Sequence, residues 1–133
     1  MAGTTTHPTA FRDTVADLVD STINGGGGAG KLQFRTSGNA NALGTVVATL
    51  PLSATAFGAS VAAVITAAAI TSDTNAAGGT IATATLALNN GTTVIVHCTV
   101  GTSGDAINVT SGGLTVTAGD TVSCSALTYT AMP

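Results

Sequence analysis

From Lys31 to Pro133 the chain is written almost entirely in Thr, Ala, Val, Gly, Ser and Asn, and after Arg35 it has no Lys or Arg. Apolar and polar residues alternate there in short stretches, the period of strands with one buried face. Val, Ile and Thr fit a pleated, half-buried surface. Glu is absent throughout, and all six acidic residues are Asp. A chain so restricted has few residues with which to cover a helix beyond its first quarter. It is directed toward β layers packed through small side chains.

The alternation places strands at Lys31–Thr36, Thr45–Leu52, Ser60–Ile70, Thr80–Leu88, Thr92–Val100, Ile107–Val109, Leu114–Thr117 and Thr121–Thr130. Between them Gly, Asn, Asp and Ser mark turns at Ala54–Gly58, Gly101–Asp105 and Ala118–Asp120. Asn89-Asn90-Gly91 is a hairpin signal, because Asn-Gly suits the two-residue turns of primed type. About seven or eight short strands at regular spacing predict an all-β domain, an antiparallel β-sandwich of jelly-roll or immunoglobulin-like kind, with a barrel as the related solution.

Ahead of the strands lies a different pattern. Residues 1–8 form a polar tail. From Thr9, with Pro8 before it, Phe11, Val15, Leu18, Val19 and Thr22 recur at helical spacing, with Asp13, Asp17 and Asp20 on the other side. This predicts an amphipathic helix of roughly twelve to fourteen residues that ends at Asn24-Gly25. Gly25–Gly30 reads as a flexible linker. The domain plan is therefore a tail over 1–8, a helix and linker over 9–30, and a β-sandwich over 31–133. Phe11, Val15, Leu18 and Val19 are the candidate interface, packing on the sandwich or on a neighbouring subunit. Phe34 and Phe57 are the expected core anchors.

The core must be built without large rings. There is no Trp, and the aromatics are Tyr129 and three Phe. Aromatic side chains bury about 150–250 Å² each, so layers without them gain little area. Small cores are supplemented by disulfides, metals or oligomerisation. Edge strands are normally guarded by Lys or other charges, and these strands have almost none. Both features favour a homo-oligomer whose copies cover one another.

Composition also excludes chemistry. The net charge is −3, with Arg12, Lys31 and Arg35 the only basic residues. Nucleic acids and anionic membrane surfaces need clustered Lys and Arg. Gly25–Lys31 matches the start of a phosphate-binding loop, but Leu32 stands where Ser or Thr should hold magnesium, and the order is helix, glycines, strand. Asp13, Asp17 and Asp20 read as a solvated helix face and not a metal cluster, since hard cations need several converging oxygens. His97 and Cys98 are strand neighbours that point to opposite faces, so they make no nucleophile pair. Cys98 and Cys124 fall on apolar sides of strands, as two buried thiols or as a bridge between the last two long strands. Asp73, Asp105 and Asp120 sit in turn sequences, where Asp bonds its own backbone. Asn90-Gly91-Thr92 and Asn108-Val109-Thr110 match a glycosylation pattern that matters only in a secreted chain, and the polar first residues show no signal peptide. No catalytic residue, metal site or cofactor is assigned, and the chain is not expected to be an enzyme.

Several segments together resemble a family of small virion proteins of tailed phages and prophages. They are Val15–Asp20 (VADLVD), the glycine-rich turn into Lys31–Thr36 (KLQFRT), Ala48–Leu50, Ala56–Ala59 (AFGA), Ala69–Asp73 (AITSD), Val100–Asp105 (VGTSGD) and Leu127–Thr130 (LTYT). This chain departs from the family at Ile81–Leu88, which carries no aromatic residue. The resemblance implies a capsid decoration, or cement, protein on the outer surface of the phage head, made in the host cytoplasm. It implies a compact β module, a trimer or dimer, whose partners are the major capsid protein and its own copies, with the tail and helix as an arm reaching a neighbour. A tail or head-fibre component is the alternative within the same virion class.

Overall fold

The computed structural model describes every residue except 1, 2, 4, 110 and 111. Three positions of the polar tail and Thr110 of the Asn108-Val109-Thr110 triplet thus lie outside the described residues. In chain order the elements are α1 (Thr9–Asn24), β1 (Lys31–Arg35), β2 (Gly38–Asn39), β3 (Ala42–Leu43), β4 (Val46–Pro51) and β5 (Val64–Thr66). There follow β6 (Gly79–Thr80), β7 (Thr83–Ala87), β8 (Val94–Gly101), β9 (Ile107–Asn108), β10 (Thr115–Val116) and β11 (Thr128–Thr130).

The fold is mostly β with one helix, but it is not the all-β antiparallel sandwich that the alternation predicts. One five-stranded sheet, ordered β4-β1-β7-β8-β9, carries the domain, and three separate two-stranded ribbons pair β10 with β6, β11 with β5 and β2 with β3. The large sheet is mixed, because β9 runs parallel to β8 at Val100↔Ile107 and Gly101↔Asn108. Two expected long strands are broken. Ser60–Ile70 yields only β5, since Val61 and Val64 close a tight turn on each other. Thr121–Thr130 yields only β11 and a bridge from Val122 to Asp73. The β2–β3 ribbon has no period-two signal to reveal it.

The register of the large sheet sorts side chains into two faces. Leu32 and Phe34 of β1 align with Leu50 and Ala48 of β4 and with Leu86 and Ala84 of β7. Strand side chains alternate, so these share one face, and all are buried there with Phe57, Ile65, Ile81 and Ile23. Phe34 and Phe57 thus sit in the core, as their spacing suggests. The opposite face is polar yet also buried. Gln33, Arg35, Thr83 and Thr85 line it, and each is nearly closed to solvent.

The β7–β8 hairpin forms at Asn89-Asn90-Gly91, with a longer loop than two residues. Leu88 donates to Thr93 O and Gly91 donates back to Leu88 O. Asn90 Oδ1 accepts the N–H groups of Thr92 and Thr93 at 3.0 and 2.9 Å. Gly91 takes φ +73°, a region that L side chains rarely adopt.

The glycine run is docked on the fold. Gly30 O accepts Leu52 N–H at 2.9 Å, and Asn89 Nδ2 donates to Ala29 O at 3.2 Å. At Gly30 a Cβ would run into the Ile23 side chain and the Ala87 carbonyl. Glycine is needed there because helix end and sheet approach each other closely.

Candidate assembly surfaces

Helix α1 buries a face rotated by roughly a third of a turn from the one its spacing suggests. Ala16 and Ile23 are fully buried, with Val15 and Val19 partly covered, whereas Phe11 and Leu18 are 49% and 61% exposed. The aspartates bond the domain's backbone, Asp13 and Asp20 from half-buried positions and Asp17 from an exposed one. Asp13 Oδ1 accepts Ala63 N–H at 2.7 Å, Asp17 Oδ1 accepts Ser60 N–H at 2.8 Å, and Asp20 Oδ1 accepts Phe57 N–H at 2.9 Å. Asn24 Oδ1 extends the row by accepting Ala56 N–H at 2.9 Å. Residues 13, 17, 20 and 24 fall along one helical stripe, so four successive side-chain oxygens hold one irregular strand of backbone. Bonds to an ionised acceptor are about twice as strong as neutral ones. At the helix start Arg12 Nη2 donates to Ala131 O at 2.8 Å. The helix is thus fastened to its own domain at both ends and is not a free arm.

The clasp fixes an unusual turn. Ala62 and Ala63 both have positive φ, 52° and 67°. With the paired bonds between Val61 and Val64 this is a primed two-residue turn, which normally calls for Asn-Gly. Each non-glycine residue held there costs about 1–2 kcal/mol, and the Asp13 bond to Ala63 helps to hold it. The turn presents Val61 at 75% exposure. Met132, 80% exposed, follows Ala131, whose N–H donates to Ala63 O. Phe11, against which His7 stacks with ring centroids 4.8 Å apart, belongs to the same end of the molecule through Arg12. Of the four candidate interface residues, Phe11 and Leu18 are therefore free for a partner, while Val15 and Val19 serve mainly the chain's own packing.

A second open surface lies over the C-terminal third. Ile107, Val109, Leu114, Val116, Val122, Cys124, Leu127 and Tyr129 all pack against the core, and each is only partly buried. Two adjoining clefts, of about 620 and 400 Å³, run beneath them and share Ile107. The larger is walled by Phe34, Ile81, Val116 and Val122, the smaller by Leu86, Val96, Cys98 and Tyr129.

The groups that carry chemistry are dispersed. Arg35 is buried, and desolvation pulls its pKa below the usual arginine value. It is held by neutral acceptors: Gly44 O and Gln33 Oε1 at 2.8 Å, Gly91 O at 3.2 Å and Thr85 Oγ1 at 3.3 Å. These bonds pin the β7–β8 loop and the segment after β3 onto the polar face of the sheet, which is a structural task. His97 lies opposite Thr85 on that face, and its Nε2 is buried without a hydrogen-bond partner. Cys98 and Cys124 are both free and half-buried. Burial pushes both thiols up in pKa, away from the reactive thiolate. Asp73 and Asp120 bond turn backbone, through Asn75 N–H and Thr117 N–H respectively, and Asp73 also reaches Thr49 N–H. Among the described residues no three His, Cys, Asp or Glu side chains gather to hold a metal ion, and no helix there is long and apolar enough to cross a membrane.

Comparison of the chain with family models, with curated proteins and with solved structures finds no match.

Proposed function

We propose that this chain is a structural subunit of a virion, a decoration protein that sits on the outer face of a phage head and stabilises it by gripping adjacent capsid subunits. The observation that carries an assembly role is the half-covered apolar layer over residues 107–129, beside two open clefts. Monomeric proteins rarely leave extended apolar surface uncovered, and where they do it marks an interaction site. The dispersal of titratable groups supports a packing role over a catalytic one. Placement on a phage head rests on the sequence resemblance, and the shortage of Lys and Arg supports the outer surface over the DNA-lined interior.

Phe11 and Leu18 on the outer side of α1, with Val61 and Met132 at the same end, are the surface assigned to the capsid. The test is attachment to bare heads of the phage or prophage that encodes the chain. Wild-type protein is expected to co-sediment with the heads and raise their resistance to heat. F11S/L18S is expected to fold normally and to lose attachment, because both side chains are exposed. Absence of binding to heads overturns the reading. Electron-microscopic density on the tail or at a single vertex would favour the tail or head-fibre alternative instead.

A further inference from the structure

The five-stranded sheet has one sealed edge and one open edge. Three outward groups of β4 are occupied: Asp73 accepts Thr49 N–H at 2.8 Å, Val47 O accepts Gly78 N–H at 3.2 Å, and Pro51 O accepts Thr71 N–H at 2.9 Å. Strand β8 differs. Val100 donates to Ala82 O, and the antiparallel phase then turns Cys98 and Val96 toward β7 and the backbone groups of His97 and Thr99 outward. Strand β9 covers only Val100 and Gly101. Strand β9 takes the outward carbonyl of Thr99 in its parallel ladder, but among the described residues no backbone group bonds the outward N–H or C=O of His97. The stretch Val94–Thr99 also contains no Lys, Arg, Asp or Pro, the residues by which natural edges are blunted.

We infer that the open edge of β8 pairs antiparallel with β8 of a second copy of this chain, joining two five-stranded sheets across a two-fold axis near Val96. Three observations select this occupant. In a two-fold contact the same patch meets itself, and like charges set opposite each other destabilise a strand pair. This edge carries no permanent charge, so it suits its own copy. The β4 edge is sealed, so pairing closes at two copies and does not propagate into a fibre. Main-chain pairing alone is a small contact beside the roughly 800 Å² per partner of a stable interface. The cleft of about 400 Å³ lined by Val96, Cys98, Leu86, Leu127 and Tyr129 adjoins this strand, and pairing brings the clefts of the two copies together so that their walls cover each other. Because β9 fills the place beside Val100, the overlap spans Val94–Cys98. The contact does not involve the outer face of α1 and stands independently of placement on a phage head.

The test is sedimentation velocity of the full chain over a concentration series, with H97P and F11S/L18S in parallel. The N–H of His97 has no partner within the chain, and edge strands accept Pro where the N–H faces outward. Wild type is expected to sediment as a dimer that dissociates on dilution. H97P removes one main-chain bond from each side of the pair and is expected to weaken dimerisation about a hundredfold, with an unchanged circular dichroism spectrum. F11S/L18S is expected to dimerise as wild type does. Amide hydrogen exchange at His97 in wild type reads the same contact without a substitution, and it is expected to slow as the dimer forms. A wild-type chain that remains a single copy at millimolar concentration overturns the inference. So does a dimer that H97P leaves intact, or one in which the His97 amide exchanges as fast as in the diluted chain. If H97P does not fold, the exchange of the wild-type amide decides by itself.

Discussion

Residues 9–101 and residues 102–130 carry the same alternation of small apolar and polar side chains, yet the structure treats them differently. In the first region the pattern ends in closure: Leu32, Leu50, Phe57, Ile65 and Ala84 are almost wholly shielded, and even the polar face of the sheet is sealed around Arg35. In the second region no described residue is buried, and the apolar positions at 107, 109, 114, 116, 122, 124, 127 and 129 are all half covered. The first region has a helix, a tight turn and four strands of the large sheet to cover it. The second has strands of two or three residues and glycines at 112, 113 and 119 with positive φ. Period-two patterning states which face is to be covered; it does not state what covers it. In the C-terminal third the cover within the chain is only partial.

The largest expected effect comes from one side-chain type placed in each region. L50A removes a fully buried side chain and is expected to cost about 3–4 kcal/mol, whereas L127A, from a half-covered site, should cost about 1 kcal/mol. Chemical denaturation of dilute protein measures both, and equal losses would erase the distinction. R35A strips a guanidinium from four acceptors and leaves the half-buried carbonyl of Gly44 and the buried one of Gly91 without it. A loss of about 3 kcal/mol is expected, read by the same method.

D13A is expected to cost about 1–2 kcal/mol, because Ala63 N–H loses an ionised acceptor at a strained turn. The reverse change sharpens the point. Replacing Ala62-Ala63 by Asn-Gly should raise stability by about 1 kcal/mol, since those residues accept positive φ. Thermal unfolding would show the gain, and a loss would contradict the assigned turn. The smallest effect concerns pH. Burial raises the Cys98 pKa in the folded chain, so the folded state holds the thiol proton more tightly than the unfolded one. Stability from this group is full below the unfolded thiol value of about 8.5 and declines as pH rises through the higher folded value. C98S should flatten that alkaline decline in a denaturation series.

Much of the large sheet is legible in the residues themselves. β1, β4, β7 and β8 fall where alternation places them, and Asn90-Gly91 announces the hairpin between the last two. Two kinds of feature stay hidden. The helix orientation is one: Asp at 13, 17 and 20 looks like a wet face, because a single sequence does not reveal that the backbone of residues 56–63 donates to it. The breaks in Ser60–Ile70 and Thr121–Thr130 are the other. Ala62 and Ala63 carry no turn signal, and tertiary bonds to the helix override their ordinary preference for negative φ. The exposure of Phe11 and Leu18 follows from the same rotation, which turns Ala16 and Ile23 beneath the helix.

The most direct test of an incomplete C-terminal layer is hydrogen exchange followed by mass spectrometry on the chain, first diluted to a single copy and then bound in its assembly. Peptides from β1, β4 and β7 should be protected in both states, while peptides from 102–130 should exchange rapidly alone and slowly once assembled. If the C-terminal peptides of the single copy are already as protected as β1 and β7, the layer is complete without a partner and the account is contradicted.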